Sequence, residues 1–442
     1  MWLLLKNGRI IDPGRGIDQI GDLLIEDGCI RSLSAACELP SPLAGEVRGE
    51  GEICDCTGLV IAPGLIDMHA HLREPGFEHK ETIKTGACAA VSGGFSTVLG
   101  MPNTKPAIDN GAMVEYVLNV GKGAAANVLI SGAATKANEG TEMAEIGDMI
   151  EAGAVAISDD AFPIQSADLM RRVMEYCRMF DVPVLTHCED KSMTAEGTVN
   201  EGIACTILGL RPWPRQAEEI MIWRNILLAE LSGCRLHIQH VTTKGGVEAI
   251  RWAKSRGINV TCETCPQYFS LTDQALNSYD TKAKCNPPLR TPDDVDAIKA
   301  GLADGTIDVI ATDHAPHSRE DKEVEFQDAA FGMVGLETAL GLVVTNLVET
   351  GVLSLSDALL KMTARPACIL GLDRGNLAEG APADITVIDP NAIWVVRSSE
   401  FKSLGKNTPF EGFYLKGSVV ATIVGGELRH GFLNNVQVAG KA

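Results

Sequence analysis

Hydrophobic and polar positions follow two different patterns along this chain. In the middle of the sequence, short apolar runs are each followed by a polar or helix-like stretch, and residues 166–180 and 214–233 have the apolar spacing of surface helices. Eight such runs resemble buried strands: 60–71, 95–103, 127–135, 154–160, 182–190, 235–242, 258–266 and 307–316. Strands that alternate with helices in this way predict an α/β fold, a (β/α)8 TIM-type barrel, with a doubly wound open sheet as the alternative.

Both ends of the chain have a β-rich pattern instead. Residues 3–11 and 22–33 alternate apolar and polar positions around Asn-Gly and Asp-Gly turns, and similar stretches return after residue 375. The predicted domains are a small β-sandwich domain built from residues 1–60 and 371–442, and a catalytic barrel over residues 61–370. The stretch 39–52, rich in Pro, Gly and Glu, is predicted to be a surface loop.

Composition and charge limit the class of protein. The chain is 45% hydrophobic and 22% charged, which is typical of a soluble globular protein. Its net charge of −20 argues against nucleic acid or an anionic membrane as a partner, and requires that an anionic substrate be met by local positive charge. No signal peptide or membrane-spanning run is recognised, and thirteen cysteines suggest free thiols in a reducing compartment, so we expect a cytoplasmic location.

The stretch IDMHAHLREPG, residues 66–76, raises the question of metal binding. In an extended strand His69, His71 and Arg73 would project to one face. Imidazoles and carboxylates also stand at the carboxyl ends of other predicted barrel strands, where barrel enzymes place their active sites. The candidate ligands are His69, His71, Asp159, Asp160, His187, His240 and Asp313.

This set exceeds what one catalytic zinc ion requires, since three protein ligands and a water suffice. A surplus of this kind suits two metal ions bridged by a carboxylate and a hydroxide. Each residue taken alone could equally be a polar core residue. Asp159 and Asp160 face opposite sides of a strand, so only one of them should bridge.

Other polar residues suggest how a substrate is held. Arg73 offers a bidentate fork suited to a carboxylate. Asn103 and Asn286 follow predicted strands, but both stand next to proline, where asparagine often only forms a turn. Arg290 is interpreted as a solvated structural arginine outside the site. Residues 317–332 are either a loop that orders over substrate or an ordinary solvated loop.

These motifs together resemble one family over nearly the whole chain. DMHAHLREPG, MPNT, SDDAFPI, THCED, HVTT, TCETCPQY, NPPLR, ATDHAPH and AEGAPADITVID are similar to the dihydroorotases of the amidohydrolase superfamily. The segment AGAVAISDDA contains no lysine, which resembles the dihydroorotase class that bridges its metals with aspartate rather than with a carboxylated lysine.

The resemblance implies a reaction and a ligand set. Such an enzyme interconverts N-carbamoyl-L-aspartate and L-dihydroorotate in pyrimidine biosynthesis, through a metal-bridging hydroxide and an aspartate, Asp313, that shuttles the proton. Two Zn²⁺ ions are implied, one held by His69, His71 and Asp313 and the other by His187 and His240. Asp160 matches the bridging position, although Ala161 stands where the family usually has glycine and leaves the choice against Asp159 open.

The resemblance also implies the substrate contacts and the partners. Arg73, Asn103 and His317 would bind the substrate carboxylate, Asn286 its ring, and backbone groups of Phe331 and Gly332 would add contacts. A homodimer is implied, while the sequence leaves open whether the enzyme also associates with aspartate transcarbamoylase. Two other functions compete: an allantoinase or hydantoinase, against which Arg73 argues, and a non-catalytic scaffold for that transcarbamoylase, against which the complete ligand set argues.

Overall fold

The computed structural model describes residues 2–34, 51–431 and 437–439. Most of the surface loop predicted over residues 39–52 therefore lies outside the described residues. Gly51 and Glu52, its last two positions, begin a strand instead of ending a loop. In the described part of the chain, no helix is both long enough and apolar enough to cross a membrane.

The strands fall into three groups in chain order. The first group is β1 Trp2–Asp12, β2 Ile17–Glu26, β3 Cys29–Ser34, β4 Gly51–Asp55 and β5 Val60–Pro63. The second is β6 Leu65–Ala70, β7 Phe95–Gly100, β8 Asn127–Ala133, β9 Ala156–Ser158, β10 Val184–Thr186, β11 Val199–Asn200, β12 Pro212–Trp213, β13 Leu236–Ile238, β14 Val260–Thr264 and β15 Val309–Ile310. The third is β16 Ile385–Val395, β17 Tyr414–Val424, β18 Glu427–Gly431 and β19 Gln437–Ala439.

The helices lie between the strands of the second group and after β15. They are α1 Ile83–Ser92, α2 Gly111–Gly121, α3 Ile146–Glu151, α4 Ala167–Arg178, α5 Lys191–Thr194, α6 Ile203–Leu208, α7 Gln216–Ser232, α8 Lys244–Ser255, α9 Pro266–Ser270, α10 Pro292–Ala303, α11 Arg319–Lys322, α12 Ala339–Val343, α13 Leu355–Leu360 and α14 Ala364–Leu370. A π-helical turn, Val344–Val348, extends α12. Short 3-10 helices are Pro13–Arg15, Lys136–Asn138, Asp273–Leu276, Thr281–Ala283 and Ser398–Glu400.

Eight parallel strands form the predicted barrel, in the order β15-β14-β13-β10-β9-β8-β7-β6. A bridge between Ala70 and His314 brings its two edges together, so the sheet is nearly closed. The amino-terminal half of the interior is apolar, with Met68, Leu99 and Leu185 buried there, and α14 packs Leu370 into the same cluster. The polar residues that end the strands are therefore left at the carboxyl-terminal mouth.

Local sequence explains why the helices begin where they do. Thr82 caps α1 with a reciprocal capping box, and Ser166 and Thr243 accept hydrogen bonds from the first turns of α4 and α8. The helical predictions for residues 166–180 and 214–233 correspond to α4 and α7. The longer helices α1, α2, α4, α7, α8 and α10 pack their apolar faces on the outside of the barrel.

Strands from both chain ends form a separate sheet, as predicted. Its order is β18-β17-β16-β5-β1-β2-β3, with β4 paired to β1 and to β19. The link between the two ends is β5, which pairs parallel to β1 and antiparallel to β16. The fold class is thus confirmed as a TIM-type barrel with a β domain made from both ends.

Candidate metal centre and substrate pocket

Six predicted ligands stand at or just beyond the carboxyl ends of five barrel strands. His69 and His71 come at the end of β6, while the other four follow β9, β10, β13 and β15; these are Asp160, His187, His240 and Asp313. All six are buried. Because parallel strands end at the same rim, residues that are far apart in sequence meet here.

Asp160 lies at the centre of this group. Its Oδ1 is 3.3 Å from His187 Nδ1, 3.6 Å from His240 Nε2 and 3.8 Å from His69 Nε2. Its Oδ2 is 3.6 Å from His71 Nε2. The carboxylate therefore has histidines on both sides, and its two oxygens can each face a different metal ion.

Asp159 has a different environment. Its carboxylate accepts hydrogen bonds from the backbone N–H groups of Ile164 and His187, both at 2.9 Å. It thereby holds the two loops that follow β9 and β10 in place. The structure brings the Asp160 carboxylate, and not that of Asp159, beside the imidazole rings of the histidines.

Asp313 completes one side of the centre. Its Oδ1 is 3.1 Å from His71 Nε2 and 3.6 Å from His69 Nε2. On the other side, His187 Nδ1 and His240 Nε2 are 2.8 Å apart. Asp160 therefore lies between two groups of side chains, His69, His71 and Asp313 on one side and His187 and His240 on the other.

The donor atoms fit divalent metal ions. Two ligand groups, His69–His71–Asp160 and Asp160–His187–His240, each have donor atoms within 4.8 Å of one another. His69 Nε2 and Asp160 Oδ2 are buried without a hydrogen-bond partner in the described structure, which is costly unless another species binds them. Burial alone would raise the pKa of Asp160, but hydrogen bonds from His187, His240 and His69 outweigh it, so the carboxylate is ionised and ready to bind a cation.

Two buried glutamates support the ligands from behind, and the sequence analysis missed both. Glu263, inside the CETC stretch, contacts His69 Nδ1 at 2.5 Å and His237 Nε2 at 3.2 Å. Glu189, inside THCED, contacts His187 Nε2 at 3.0 Å. A carboxylate behind a ligating imidazole fixes its ring orientation and tautomer. The available signal was their position near the carboxyl ends of two barrel strands, Glu263 in β14 and Glu189 after β10.

The proposed carboxylate subsite contains Arg73, Asn103 and His317. Arg73 donates from Nε to the Pro316 carbonyl at 3.2 Å, and its Nη2 lies 3.4 Å from His317 Nε2. Asn103 Oδ1 is 3.0 Å from His71 Nδ1, so its amide touches a metal-ligand candidate directly. The strand ends at Ala70 and Arg73 has φ 63°, so strand alternation does not place its guanidinium.

The charges in this subsite are well defined. Burial lowers the pKa of Arg73 to about 10, which leaves the guanidinium charged at neutral pH. Burial, together with the positive charges of Arg73 and Lys80, lowers the pKa of His317 to about 2, so its imidazole is neutral. The neutral His317 ring therefore adds no charge of its own to the subsite.

The remaining predicted contacts surround this subsite. Asn286 donates from Nδ2 to Glu189 at 3.2 Å, and its buried Oδ1 has no hydrogen-bond partner. The Phe331 carbonyl lies 2.7 Å from His317 Nε2. Gly332 uses its N–H on the Lys284 carbonyl, so that group is already engaged within the loop.

The interpretation of Arg290 as a solvated residue needs correction. Arg290 is 2% exposed, and its guanidinium pairs with Glu218 at 3.0 Å.

Comparison with known proteins gives a consistent family. Residues 58–246 match the family model described as Dihydro-orotase-like, and residues 284–430 match the Amidohydrolase family. The chain is 51% identical over 429 residues to a dihydroorotase of Pelobacter propionicus, covering 97% of this chain and 99% of the relative. It is 52% identical to a dihydroorotase of Pelotomaculum thermopropionicum, covering 97% and 98% of the two chains.

Solved structures agree on the fold. The L-hydantoinase from Arthrobacter aurescens superimposes with a TM-score of 0.85 at 26% identity, covering 96% of this chain and 95% of that one. The D-hydantoinase from a Thermus species gives a TM-score of 0.83 at 23% identity, covering 96% and 94%. The similarity to the Thermus D-hydantoinase shows a shared fold.

Proposed function

Because this chain belongs to the dihydroorotase family of the amidohydrolases, we propose that it interconverts N-carbamoyl-L-aspartate and L-dihydroorotate. The observation that carries the proposal is the meeting of four imidazoles and two carboxylates at one rim of the barrel, with the half-buried Arg73 nearby. Their chemistry suits hydrolysis of a cyclic amide that bears a carboxylate. The barrel would carry the reaction, and the sheet formed by strands of both chain ends, which includes β5, would form the supporting domain.

Two metal ions would be held by the chain's own residues. His69, His71 and Asp313 would hold one, His187 and His240 the other, and Asp160 would bridge them. When bound, such ions polarise an amide carbonyl and lower the pKa of the attacking water toward about 7. Imidazole and carboxylate ligands suit zinc, which is the identity we propose, although manganese or cobalt can use similar ligands.

Asp313 is the proposed proton carrier. Its carboxylate lies beside the ring nitrogens of His69 and His71, at the edge of the proposed reaction centre. In hydrolysis it would take the proton of the attacking water and deliver it to the departing ring nitrogen. In ring closure it would take that proton from the carbamoyl nitrogen, so one residue serves both directions.

The carboxylate subsite would orient the substrate. Arg73 offers a charged fork, Asn103 offers an amide beside His71, and His317 offers a neutral imidazole held beside Arg73. Asn286 and the backbone at Phe331 and Gly332 would contact the ring from the opposite loops. A positively charged subsite is required here, because the whole chain has a net charge of −20 and would repel an anionic substrate at long range.

Cellular context and assembly follow from the family. We extend the proposal to a cytoplasmic enzyme of pyrimidine biosynthesis that acts as a homodimer and associates with aspartate transcarbamoylase. Size measurement by light scattering, alone and with that transcarbamoylase, tests both associations. A monomer at all concentrations, or two independent species in the mixture, would remove them without affecting the catalytic proposal.

A substrate assay tests the function. The purified protein should hydrolyse L-dihydroorotate, lose turnover when a chelator removes divalent ions, and regain it when zinc is added back. Hydantoin, allantoin and dihydrouracil serve as matched cyclic amides that lack the carboxylate. Turnover of these compounds without turnover of dihydroorotate would overturn the substrate assignment. Full metal content without any turnover would instead favour a non-catalytic scaffold.

A further inference from the structure

Two lysine side chains are buried beside the proposed substrate pocket. Lys284 is 2% exposed and Lys322 is 3% exposed. Neither ammonium group forms an ion pair with a carboxylate of the described residues; instead, both donate to backbone carbonyls. Lysine is almost never fully buried unless it is paired, because desolvation of its charge is costly. Two such groups side by side therefore call for a role beyond packing.

Lys322 closes one end of the loop that follows α11. Its Nζ donates to the carbonyls of Ala330 at 2.7 Å, Gly332 at 3.0 Å and Lys284 at 3.3 Å. Three acceptors match the three protons of an ammonium group. The charged side chain thus acts as an internal cross-link between α11, the loop end and the segment after β14.

Lys284 holds the middle of the same loop. Its Nζ donates to the carbonyls of Phe326 at 2.8 Å and Gln327 at 2.9 Å. The ammonium also lies 4.4 Å from the centroid of the Phe331 ring, within the range of a cation–π contact. Residues 326–332, which we call the carbonyl loop, are therefore folded around two cations.

The carbonyl loop forms one wall of the carboxylate subsite. The Phe331 carbonyl lies 2.7 Å from His317 Nε2, which in turn is 3.4 Å from Arg73 Nη2. The other ring nitrogen, Nδ1, faces the ammonium of Lys80 at 3.4 Å and can only accept there. Nε2 of the neutral ring must therefore carry the proton and donate to Phe331. The position of one loop carbonyl thus sets the orientation and tautomer of His317.

We propose that Lys284 and Lys322 are positioning residues for the carboxylate subsite. By folding the carbonyl loop around two ammonium groups, they hold the Phe331 carbonyl, and through it His317, beside Arg73. The inference rests on the proposed function, because it names residues that prepare that same site.

The test compares a substrate that has the carboxylate with a ligand that lacks it. In Lys322→Met and in Lys284→Met, KM for L-dihydroorotate should rise about tenfold, while kcat changes little. This is the effect of losing one or two hydrogen bonds between the subsite and the substrate carboxylate. The inhibition constant of dihydrouracil, which has the same ring without the carboxylate, should stay unchanged. Lys322→Arg retains the charge and should keep more of the affinity than Lys322→Met.

Lys361 provides the matched control. It is also a buried lysine, and its Nζ donates to the Ile307 carbonyl at 2.6 Å, before β15 and so at the opposite end of the barrel. Lys361→Met should lower the melting temperature and leave KM unchanged.

Several outcomes would overturn the assignment. If the substitutions raise KM for dihydroorotate and the inhibition constant of dihydrouracil by the same factor, the two lysines serve stability alone. The same conclusion holds if KM is unchanged in both methionine variants. If Lys322→Met does not fold, Lys284→Met decides, because it changes the other half of the loop. If the wild-type chain binds metal but does not turn over dihydroorotate, the proposed function and this inference both fail. If the wild-type chain is active and the lysine variants behave like it, only this inference fails.

Discussion

Three residues at the proposed site have a left-handed backbone conformation. Their φ angles are 63° at Arg73, 33° at His240 and 48° at Asp313. Such angles are uncommon outside glycine and concentrate at functional sites, where the surrounding structure holds them. At each of these positions the chain has just left a barrel strand, so the side chain is directed by the turn and not by strand alternation.

Replacement of Asp313 tests the proton carrier. Asp313→Ala should lower kcat by at least the factor of about 10²–10⁴ that a positioned acid or base contributes, because no other carboxylate in the described cluster is free for the role. The measurement is steady-state hydrolysis of dihydroorotate together with metal content. Near-normal turnover with full metal content would exclude Asp313 as the carrier.

Replacement of Arg73 tests carboxylate recognition. Arg73→Ala should cost about 1.5–3 kcal/mol of binding free energy, the value of a hydrogen bond to a charged group, and should appear mainly in KM. Arg73→Lys is the control, since it keeps the charge but loses the planar fork. An unchanged dependence of rate on dihydroorotate concentration would contradict the assignment.

At the scale of elements, β14 connects the metal centre to the barrel wall. Its Glu263 bonds His69 from β6 and His237 from β13, so one carboxylate links three strands. The nearby Cys262 and Cys265 are free and buried. The importance of the CETC stretch therefore lies in its glutamate.

Replacement of Glu263 tests this support. Glu263→Gln should weaken metal binding by about 10–100-fold, because it removes the charge that orients the His69 imidazole. Competition with a chromogenic chelator measures this affinity independently of turnover. Glu337→Gln is a suitable control, since Glu337 accepts backbone N–H groups of Lys402 and Ser403 away from the ligand cluster. Equal affinities in the two variants would remove Glu263 from the metal centre.

Sequence patterns predicted the strands and helices better than the side-chain contacts that support the candidate metal ligands. The barrel strands were recognisable because apolar runs end in polar residues such as His187 and Asp313. Glu189 and Glu263 were not recognised, since a buried carboxylate in a strand is identified only by the partner that neutralises it. The same reason explains Arg290: its burial depends on Glu218, a partner 72 positions away in the chain.

At the scale of the whole molecule, the barrel and the sheet share one hydrophobic core. Ile11, Val60 and Ile388 from the sheet belong to the same buried cluster as residues of the barrel helices. Hydrogen bonds also cross between them: Thr386 Oγ1 donates to the Gly94 carbonyl at 2.6 Å and Thr422 Oγ1 donates to the Val91 carbonyl at 2.7 Å. Shared apolar contacts of this kind couple two domains more strongly than a polar interface does.

This coupling predicts that the two domains unfold together. Calorimetry of the metal-loaded protein should show a single transition, and hydrogen exchange in denaturant should give similar opening free energies for β1 and for the barrel strands. Thr422→Val, which removes one crossing hydrogen bond, should lower the melting temperature without splitting the transition. Two separate transitions in the wild-type chain would contradict the coupling. A single transition matters for function, because β6, which supplies His69, begins only two residues after β5 of the sheet ends, so loosening of the sheet would reach the metal centre directly.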